Sequence, residues 1–230
     1  MSERGTIALA GGAEFGGAMA ELDRAALTQA GGLDAPVRII PAAAAPDNNH
    51  RRAGQNGVRW FEHLGVRDVA AVPLIDRQSA GDAAVAETLR AARLIYLLGG
   101  FTHYLGQTLA NSRSWEAVVE AYNNGAVIAG SSAGAMVLCE WYFNPEAARI
   151  EPGLGLVPNA CVIPHHNTFG RGWAARLTTL LPQATLLGID ERTGMLNTAD
   201  GGWHVYGQGS VTCYRDGVAA VHGAGAEFRV

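Results

Sequence analysis

The feature that most constrains this chain is an alternation of short apolar segments with longer amphipathic ones over about its first 140 residues. Strands buried on both faces form continuous apolar runs, whereas helices place apolar residues three and four positions apart. The predicted strands are Thr6–Ala10, Val37–Pro41, Val69–Pro73, Leu94–Leu98 and Ala126–Ala129. The predicted helices are Ala18–Ala30, Gly57–Leu64, Asp82–Ala92 and Ser114–Asn123, with Asp82 and Ser114 as N-caps. This alternation predicts a mostly parallel sheet with helices on both faces.

The remainder of the chain is less regular. Gly170–Leu181 has a helical pattern, and Thr185–Ile189 is a predicted strand. The tail from Trp203 to Val230 predicts short strands, with Asp216-Gly217 as a two-residue hairpin turn. With 230 residues, of which 48% are hydrophobic, we expect one α/β domain over residues 1–230, in three layers with a small C-terminal β extension.

Composition and charge argue against several classes of protein. The net charge is −4 and the basic residues are scattered, so no nucleic-acid partner is expected. Three cysteines without a CxxC pair favour neither a disulfide framework nor a zinc site, and they fit a reducing cytoplasm. The first apolar run is too short for a signal peptide, and the longest uncharged stretch is broken by glycine and serine. We therefore expect a soluble cytoplasmic protein that does not contact a membrane.

The segment Gly130-Ser131-Ser132-Ala133-Gly134 has the Gly-x-Ser-x-Gly pattern of a nucleophile elbow. A predicted strand precedes it and the predicted helix Ala133–Leu138 follows it, as this motif requires. Ser132 lies between the glycines and is the predicted nucleophile, while Ser131 is interpreted as a spacer. The helix N-terminus places the Ala133 amide where it could bind an oxyanion. Small residues at such a junction also permit tight packing without any catalysis, so the motif alone leaves both interpretations open.

Together with other segments, this elbow resembles the dipeptidase E and cyanophycinase family of serine peptidases. The resemblance spans nearly the whole chain, and the segments occur in the family's order. They are Ile7–Gly12, the Gly-Gly loop Tyr96–Thr102, the elbow at 130–135, Gly153–Pro158 followed by Ile163–His166, and the Gly-Ile-Asp-Glu-x-Thr segment Gly188–Thr193. The resemblance implies a flavodoxin-related, glutamine-amidotransferase-like fold, a small peptide or isopeptide substrate, and no metal or organic cofactor.

Carried onto this sequence, the resemblance implies Ser132 as the nucleophile and His165 as the general base. The amides of Gly100 and Ala133 would form the oxyanion hole. Glu191 is our choice for the acid that orients the histidine. Some family members use an acid soon after the nucleophile, which leaves Glu140 and Glu146 as alternatives. The implied substrate-binding residues are Gly99, Phe101, Thr102 and His166.

Two positions depart from the family pattern. Phe101 follows the glycine pair where the family usually has Asp or Asn, and His166 follows the catalytic histidine where an aromatic residue is typical. Both lie where substrate is expected to bind, so they weaken any transfer of specificity for aspartyl peptides or cyanophycin. Arg171, Arg176 or Arg192 could bind a substrate carboxylate, but isolated arginines are more often solvated.

Three other functions remain open from the sequence. An α/β-hydrolase esterase would use Ser132, then Asp190 or Asp200, then His204 or His222. A glutamine amidotransferase module would need a reactive cysteine at the elbow, whereas Cys139 is interpreted as a core residue. A binding module that keeps the fold without catalysis is the third. The sequence does not determine the oligomeric state, and a homodimer is one of the alternatives.

Overall fold

The computed structural model describes residues 4–198 and 201–230 of the chain. Its fourteen strands are β1 Ile7–Ala10, β2 Val37–Ile40, β3 Val69–Ala71, β4 Leu94–Leu97, β5 Val127–Ser131, β6 Cys139–Asn144, β7 Arg149–Pro152, β8 Val157–Ile163, β9 Thr185–Ile189, β10 Thr193–Asn197, β11 Gly202–Gly207, β12 Ser210–Arg215, β13 Val218–Gly223 and β14 Glu227–Arg229. Its α-helices are α1 Ala20–Ala30, α2 His50–His63, α3 Arg77–Ala80, α4 Ala83–Arg90, α5 Thr102–Leu109, α6 Arg113–Asn123, α7 Ala133–Leu138 and α8 Ala174–Leu180. Short 3-10 turns occur at Gly17–Met19, Ala42–Ala44 and Gly170–Trp173.

An eight-stranded sheet has the order β14-β11-β10-β1-β5-β4-β2-β3. The strands β1 to β5 pair in parallel, as the sequence predicted, and β10, β11 and β14 extend the sheet with antiparallel pairs. The strand β5 lies between β1 and β4, so the loops that follow these three strands emerge side by side. The carboxyl ends of parallel strands are the usual ligand site of such sheets.

A second sheet of six strands, in the order β13-β12-β9-β8-β6-β7, was not predicted. It combines parallel pairs around β8 with antiparallel pairs at both edges. The predicted C-terminal extension is therefore divided, since β11 and β14 join the first sheet while β12 and β13 join the second. The hairpin between β12 and β13 turns at Asp216 and Gly217, both with the positive φ that a type I′ turn requires.

The two faces of the first sheet pack against different layers. Along β1, Ile7 and Leu9 belong to one cluster of buried side chains and Ala8 and Ala10 to another, because successive strand residues point to opposite faces. The cluster that contains Ala8 includes residues of α1 and α2. The cluster that contains Ile7 includes residues of α4, α6, α7 and the second sheet. The result is the three-layer α/β/α arrangement expected from the sequence.

Two of the helix starts differ from the prediction. The carboxylate of Asp82 accepts hydrogen bonds from two N–H groups and caps α4 as expected, but the prediction of Ser114 as an N-cap is wrong. Ser112 caps α6 by accepting a hydrogen bond from the Trp115 N–H at 3.0 Å. Helix α2 begins seven residues before the predicted Gly57. Its first turns pack through Gly54, where a Cβ would lie 2.9 Å from the Ala71 Cβ, so no apolar periodicity marks them.

A buried carboxyl on α1 makes the stability of the fold depend on pH. Asp23 is 2% exposed, and it accepts a hydrogen bond from Trp60 Nε1 at 2.8 Å. Burial, with a contribution from the charge of Glu14, raises the pKa of Asp23 to about 7. The folded protein therefore holds a proton that the unfolded chain loses from pH 4 upward, so this group's contribution to stability falls as the pH rises from about 4 to 7.

We expect Asp23→Asn to remove most of this pH dependence. Each unit of pKa shift corresponds to about 1.4 kcal/mol, so the wild type should lose several kcal/mol relative to the variant between pH 4 and pH 7. Urea denaturation of both proteins across this pH range measures the difference. Equal slopes of unfolding free energy against pH would contradict the assignment to Asp23.

No helix within residues 4–198 and 201–230 combines the length and apolar character needed to cross a lipid bilayer.

Candidate active site

The elbow holds Ser132 in a strained conformation between β5 and α7. Its φ of 49° and ψ of −110° are sparsely populated for a residue with a side chain. Glycines allow the strand and the helix to approach each other closely. A Cβ on Gly130 would lie 2.5 Å from the Gly134 carbonyl carbon, and one on Gly134 would lie 2.2 Å from the Leu97 oxygen. The strand–turn–helix context predicted for the nucleophile is therefore present.

Three side chains from separate segments form a continuous chain of hydrogen bonds. Ser132 Oγ lies 3.0 Å from His165 Nε2, and His165 Nδ1 lies 2.9 Å from Glu191 Oε1. Ser132 directly follows β5, His165 lies in the loop after β8, and Glu191 lies in the loop after β9. The arrangement of hydroxyl, imidazole and carboxylate is that of a serine–histidine–acid triad, in which the acid orients the ring and stabilises its charged form.

His165 is held by contacts on several sides. Its backbone has a φ of 48°, and its N–H donates a hydrogen bond to the Gly11 carbonyl at 2.8 Å. The ring stacks on Phe169 with centroids 4.8 Å apart. On another side it packs against Gly12, where a Cβ would lie 2.3 Å from His165 Cε1. Gly12 itself has a φ of 140°. A side chain at position 12 would therefore displace the imidazole.

We expect Gly12→Ala to lower kcat/KM about 100-fold, because a shift of the imidazole by about 1 Å disrupts proton transfer from Ser132. The control Gly17→Ala lies in the same segment, where an added Cβ meets no atom within 4 Å. Steady-state hydrolysis of one chromogenic ester by both variants measures the effect. Equal activities would show that the close contact of Gly12 with His165 does not position the ring.

Glu191 is positioned by a residue that the sequence analysis missed. Its backbone N–H donates a hydrogen bond to Asn167 Oδ1 at 3.0 Å. The only signal for Asn167 was its place two residues after the predicted base. The alternative acids lie elsewhere: Glu140 accepts a hydrogen bond from the Asn159 N–H, and Glu146 lies in the β6–β7 turn. The structure brings Glu191 to the imidazole and does not bring Glu140 or Glu146 there.

The predicted oxyanion donors belong to the start of α7 and to the Gly-Gly loop. Ala133 is the first residue of α7, so its N–H has no partner within the helix. Gly99 is close to Ser132, since a Cβ at position 99 would lie 3.3 Å from the Ser132 Cβ. Gly100 has a φ of 139°, and a Cβ there would lie 2.3 Å from the Ala43 oxygen. The loop therefore requires glycine at position 100, directly after Gly99, which is the loop residue shown beside the elbow.

The predicted substrate-binding residues have different environments. Phe101 is 42% exposed beside the Gly-Gly loop, and Thr102 donates a hydrogen bond to Met136 Sδ. His166 is only 2% exposed, and its Nε2 lies 2.8 Å from the Tyr214 hydroxyl. Burial lowers the pKa of His166. A buried ring with this partner cannot contact substrate, so the expectation for His166 is replaced by a structural role beside Tyr214 and Asp190.

One of the predicted carboxylate-binding arginines is engaged away from the triad. The guanidinium of Arg176 donates a hydrogen bond to the Ala148 carbonyl and lies 5.4 Å from the centre of the Phe143 ring. Arg176 therefore contacts residues of the β6–β7 hairpin.

Two cavities meet at the loop that carries Gly99 and Gly100, the predicted oxyanion loop. The first has a volume of about 560 Å³ and is bordered by Glu14, Phe15, Trp60 and the loop itself. The second has a volume of about 470 Å³ and is bordered by Thr102 and residues of α5 and the β6–β7 turn. Gly100 and Phe101 border both cavities. Glu14 was not among the residues predicted for the site, because its proximity to Ser132 arises only when β1 pairs with β5.

The residues of the competing interpretations do not join Ser132. His204 lies 3.3 Å from Glu227, and His222 stacks on Phe228. The Asp190 carboxylate accepts hydrogen bonds from Ser210, and Asp200 lies outside the described residues. Cys139 is buried, and burial raises the pKa of its thiol well above the usual range, which disfavours a reactive thiolate. Within the described ranges, no group of three or more histidine, cysteine, aspartate or glutamate side chains is arranged to hold a metal ion.

Comparison with known proteins assigns the chain to a family. The model of peptidase family S51 matches residues 7–204. The chain belongs to peptidase family S51. It is therefore a serine-type peptidase, related to dipeptidase E and the cyanophycinases. The match includes all three residues of the hydrogen-bonded triad.

Curated relatives and solved structures agree with this family. The chain is 29% identical to a cyanophycinase of Trichormus variabilis over 217 residues, covering 90% of this chain and 72% of that one. It is 30% identical to a cyanophycinase of Synechococcus elongatus, covering 80% and 60% of the two chains. A peptidase from an acI-B1 Actinobacterium has a TM-score of 0.90 and 29% identity, with 100% and 98% coverage. A putative peptidase E from Listeria monocytogenes EGD-e, at 18% identity, shares the fold with a TM-score of 0.62 and 92% and 98% coverage.

Proposed function

We propose that this S51 peptidase hydrolyses an amide bond in a small peptide or isopeptide through an acyl-enzyme on Ser132. The observation that carries the proposal is the hydrogen-bonded series from Ser132 Oγ through His165 to Glu191. A serine hydroxyl becomes an effective nucleophile when a positioned base takes its proton. The 3.0 Å separation from His165 Nε2 is within the reach that such a transfer requires.

In the first half of the reaction, His165 Nε2 accepts the Ser132 proton as Oγ attacks the substrate carbonyl carbon. The carbonyl oxygen becomes negatively charged and accepts hydrogen bonds from the Gly100 and Ala133 amides. One well-placed donor of this kind contributes about 3 kcal/mol to transition-state stabilisation. The protonated His165 then gives its proton to the leaving amine as the carbon–nitrogen bond breaks, which leaves the acyl group on Ser132.

In the second half, water replaces the amine. His165 Nε2 accepts a proton from the water as its oxygen attacks the acyl carbon, and the same oxyanion donors stabilise the charge. Collapse of this intermediate returns the proton to Ser132 and releases the carboxylic acid. Glu191 keeps its hydrogen bond to Nδ1 throughout, so the ring presents Nε2 to the serine in both halves.

Two cavities beside the Gly99-Gly100 loop support a small substrate. Their volumes are about 560 and 470 Å³, and Gly100 and Phe101 border both. Each volume suits one or two amino-acid residues and lies within the usual range of small-molecule sites. We therefore propose that the acyl and amine portions of a short peptide occupy opposite sides of Phe101.

Partitioning of a common intermediate tests the acyl-enzyme. Two esters with the same acyl group and different leaving groups are hydrolysed in the presence of hydroxylamine, and the ratio of hydroxamate to acid is measured. An acyl-enzyme on Ser132 predicts the same ratio for both esters, because both form the same intermediate. A ratio that changes with the leaving group would indicate direct attack by water and contradict the proposal.

A further inference from the structure

The carboxylate of Glu14 lies at the end of the larger cavity nearest the nucleophile. Its Oε2 accepts a hydrogen bond from the buried Ser131 hydroxyl at 2.8 Å. Its Oε1 points towards the oxyanion loop, since a Cβ on Gly99 would lie 3.2 Å from Oε1 and 3.3 Å from the Ser132 Cβ. Glu14 and the nucleophile are therefore separated by little more than the width of Gly99.

This negative charge has no ion-pair partner in the described part of the chain. None of the arginines or histidines there lies within 4.0 Å of Glu14. Asp23 on α1 interacts electrostatically with Glu14, and as an acid it cannot serve as the counter-ion. A carboxylate that faces a cavity without a counter-ion favours a cationic ligand there.

The walls of the cavity fit the same kind of ligand. Phe15 and Trp60 border it and provide aromatic surface for the methylene groups or the charge of a basic side chain. The basic residues that border this cavity are exposed side chains of α2: Arg59 is hydrogen-bonded to Asn56, and His63 lies against the Trp60 ring. They share the outer part of the cavity with Asp47.

The position of the cavity relative to the triad indicates which half of the substrate it holds. Its border includes Glu14 and the Gly99-Gly100 loop. Glu14 is hydrogen-bonded to Ser131, the residue next to the serine that carries the acyl group in the proposed mechanism. The acyl portion of the substrate is therefore placed in the Glu14 cavity.

We propose that Glu14 is a specificity-determining residue that selects substrates with a cation on the acyl side of the scissile bond. This inference rests on the proposed function, since it needs Ser132 to be the nucleophile. The cation is an ammonium or guanidinium group, on either the side chain or the free amino terminus of the acyl residue. It completes the ion pair that Glu14 lacks, and an acidic acyl residue is disfavoured by repulsion.

A matched set of thiobenzyl esters tests the proposal because the reactive leaving group is the same throughout. The acyl groups are N-acetyl-lysyl, N-acetyl-norleucyl, N-acetyl-glutamyl and norleucyl with a free amine. We expect kcat/KM for at least one cationic ester to exceed that of N-acetyl-norleucyl about 10- to 100-fold, the usual effect of a charge-assisted hydrogen bond. A preference for the lysyl ester assigns the cation to the side chain. A preference for the free-amine ester assigns it to the amino terminus.

Substitution of Glu14 links the preference to this residue. Glu14→Gln keeps an acceptor for Ser131 and should bring the ratio of cationic to neutral rates close to one, whereas Glu14→Asp should keep part of it. The control Glu116→Gln changes an exposed acid on α6 and should leave the wild-type ratio. Thermal unfolding of each variant checks that it is folded.

Labelling by a fluorophosphonate distinguishes failure of the proposed function from failure of the inference about Glu14. If Ser132 is not labelled, the proposed function fails. If Ser132 is labelled but the wild type prefers neither cationic ester, turns over none of the esters, or prefers the glutamyl ester, the inference about Glu14 is overturned alone. A cationic preference that survives in Glu14→Gln overturns it as well.

Discussion

Replacing Ser132 with alanine should lower kcat/KM by about 10⁴- to 10⁶-fold, the range expected when a triad nucleophile is removed. The hydroxyl is the atom that attacks the substrate, and the Ser131 hydroxyl cannot replace it because it is fully buried and hydrogen-bonded to Glu14. Hydrolysis of an activated ester measures the loss. The midpoint of thermal unfolding should change little, since the substitution removes one hydrogen bond at a partly exposed position.

Ser131→Ala is the matched control for this experiment. Its side chain faces Glu14 on the opposite side of the elbow from His165, so most of the ester hydrolysis should remain. If Ser131→Ala abolished turnover and Ser132→Ala preserved it, the nucleophile would be the first serine of the pair and the interpretation of the elbow would be wrong.

Replacing His165 with alanine should have an effect of similar size, about 10⁴- to 10⁶-fold on kcat/KM, because no other base lies within reach of Ser132 Oγ in the described structure. The loss should extend to both esters and amides, since the imidazole acts in each half of the reaction. Steady-state kinetics of the purified variant, with circular dichroism to confirm folding, measures this effect.

His204→Ala distinguishes this account from an α/β-hydrolase mechanism. His204 lies on β11 and contacts Glu227 and Tyr206, away from the elbow. Its replacement should leave kcat/KM within about twofold of the wild type, as for most surface substitutions. Loss of activity in His204→Ala with activity kept in His165→Ala would favour the esterase interpretation.

The parts of the fold predicted from the sequence are those that local patterns determine. The strands β1 to β5 are apolar runs bounded by turn residues, and the elbow is a contiguous motif that needs specific residues at three of five successive positions. Asp82 was correctly predicted as a cap because capping is a local interaction: its side chain accepts hydrogen bonds from the N–H groups of Ala84 and Val85. Ser114 was mistaken for a cap, since Ser112 lies only two positions away and sequence alone does not separate them.

The second sheet could not be predicted in the same way. Its strands β6 to β8 follow α7 closely and are only partly apolar, and β8 pairs in parallel with β6 and β9 across intervening segments of the chain. The helix α5 was missed because it begins immediately after the Gly-Gly loop at Thr102, where glycines indicate a turn. Pairing of distant strands is set by packing of the whole domain, which a local pattern does not describe.

The same distinction applies to the candidate site. The elbow motif predicted Ser132, the family resemblance implied His165, and Glu191 was chosen over Glu140 and Glu146 because it follows a predicted strand. The structure brings Ser132, His165 and Glu191 into contact. Glu14, Asn167 and Phe169 carry no motif, and they reach the triad only through the pairing of β1 with β5 and the turn after β8. His166 was placed at the substrate because it adjoins His165, but its ring is buried against Tyr214 of the second sheet.

The most direct test of the central claim is the rate at which a fluorophosphonate modifies Ser132, measured in the wild type, His165→Ala and His204→Ala, with the modified peptide identified by mass spectrometry. Activation of the Ser132 hydroxyl by His165 predicts modification of Ser132 in the wild type and in His204→Ala, and almost none in His165→Ala. Modification at the wild-type rate in His165→Ala, or at a residue other than Ser132, would contradict the account.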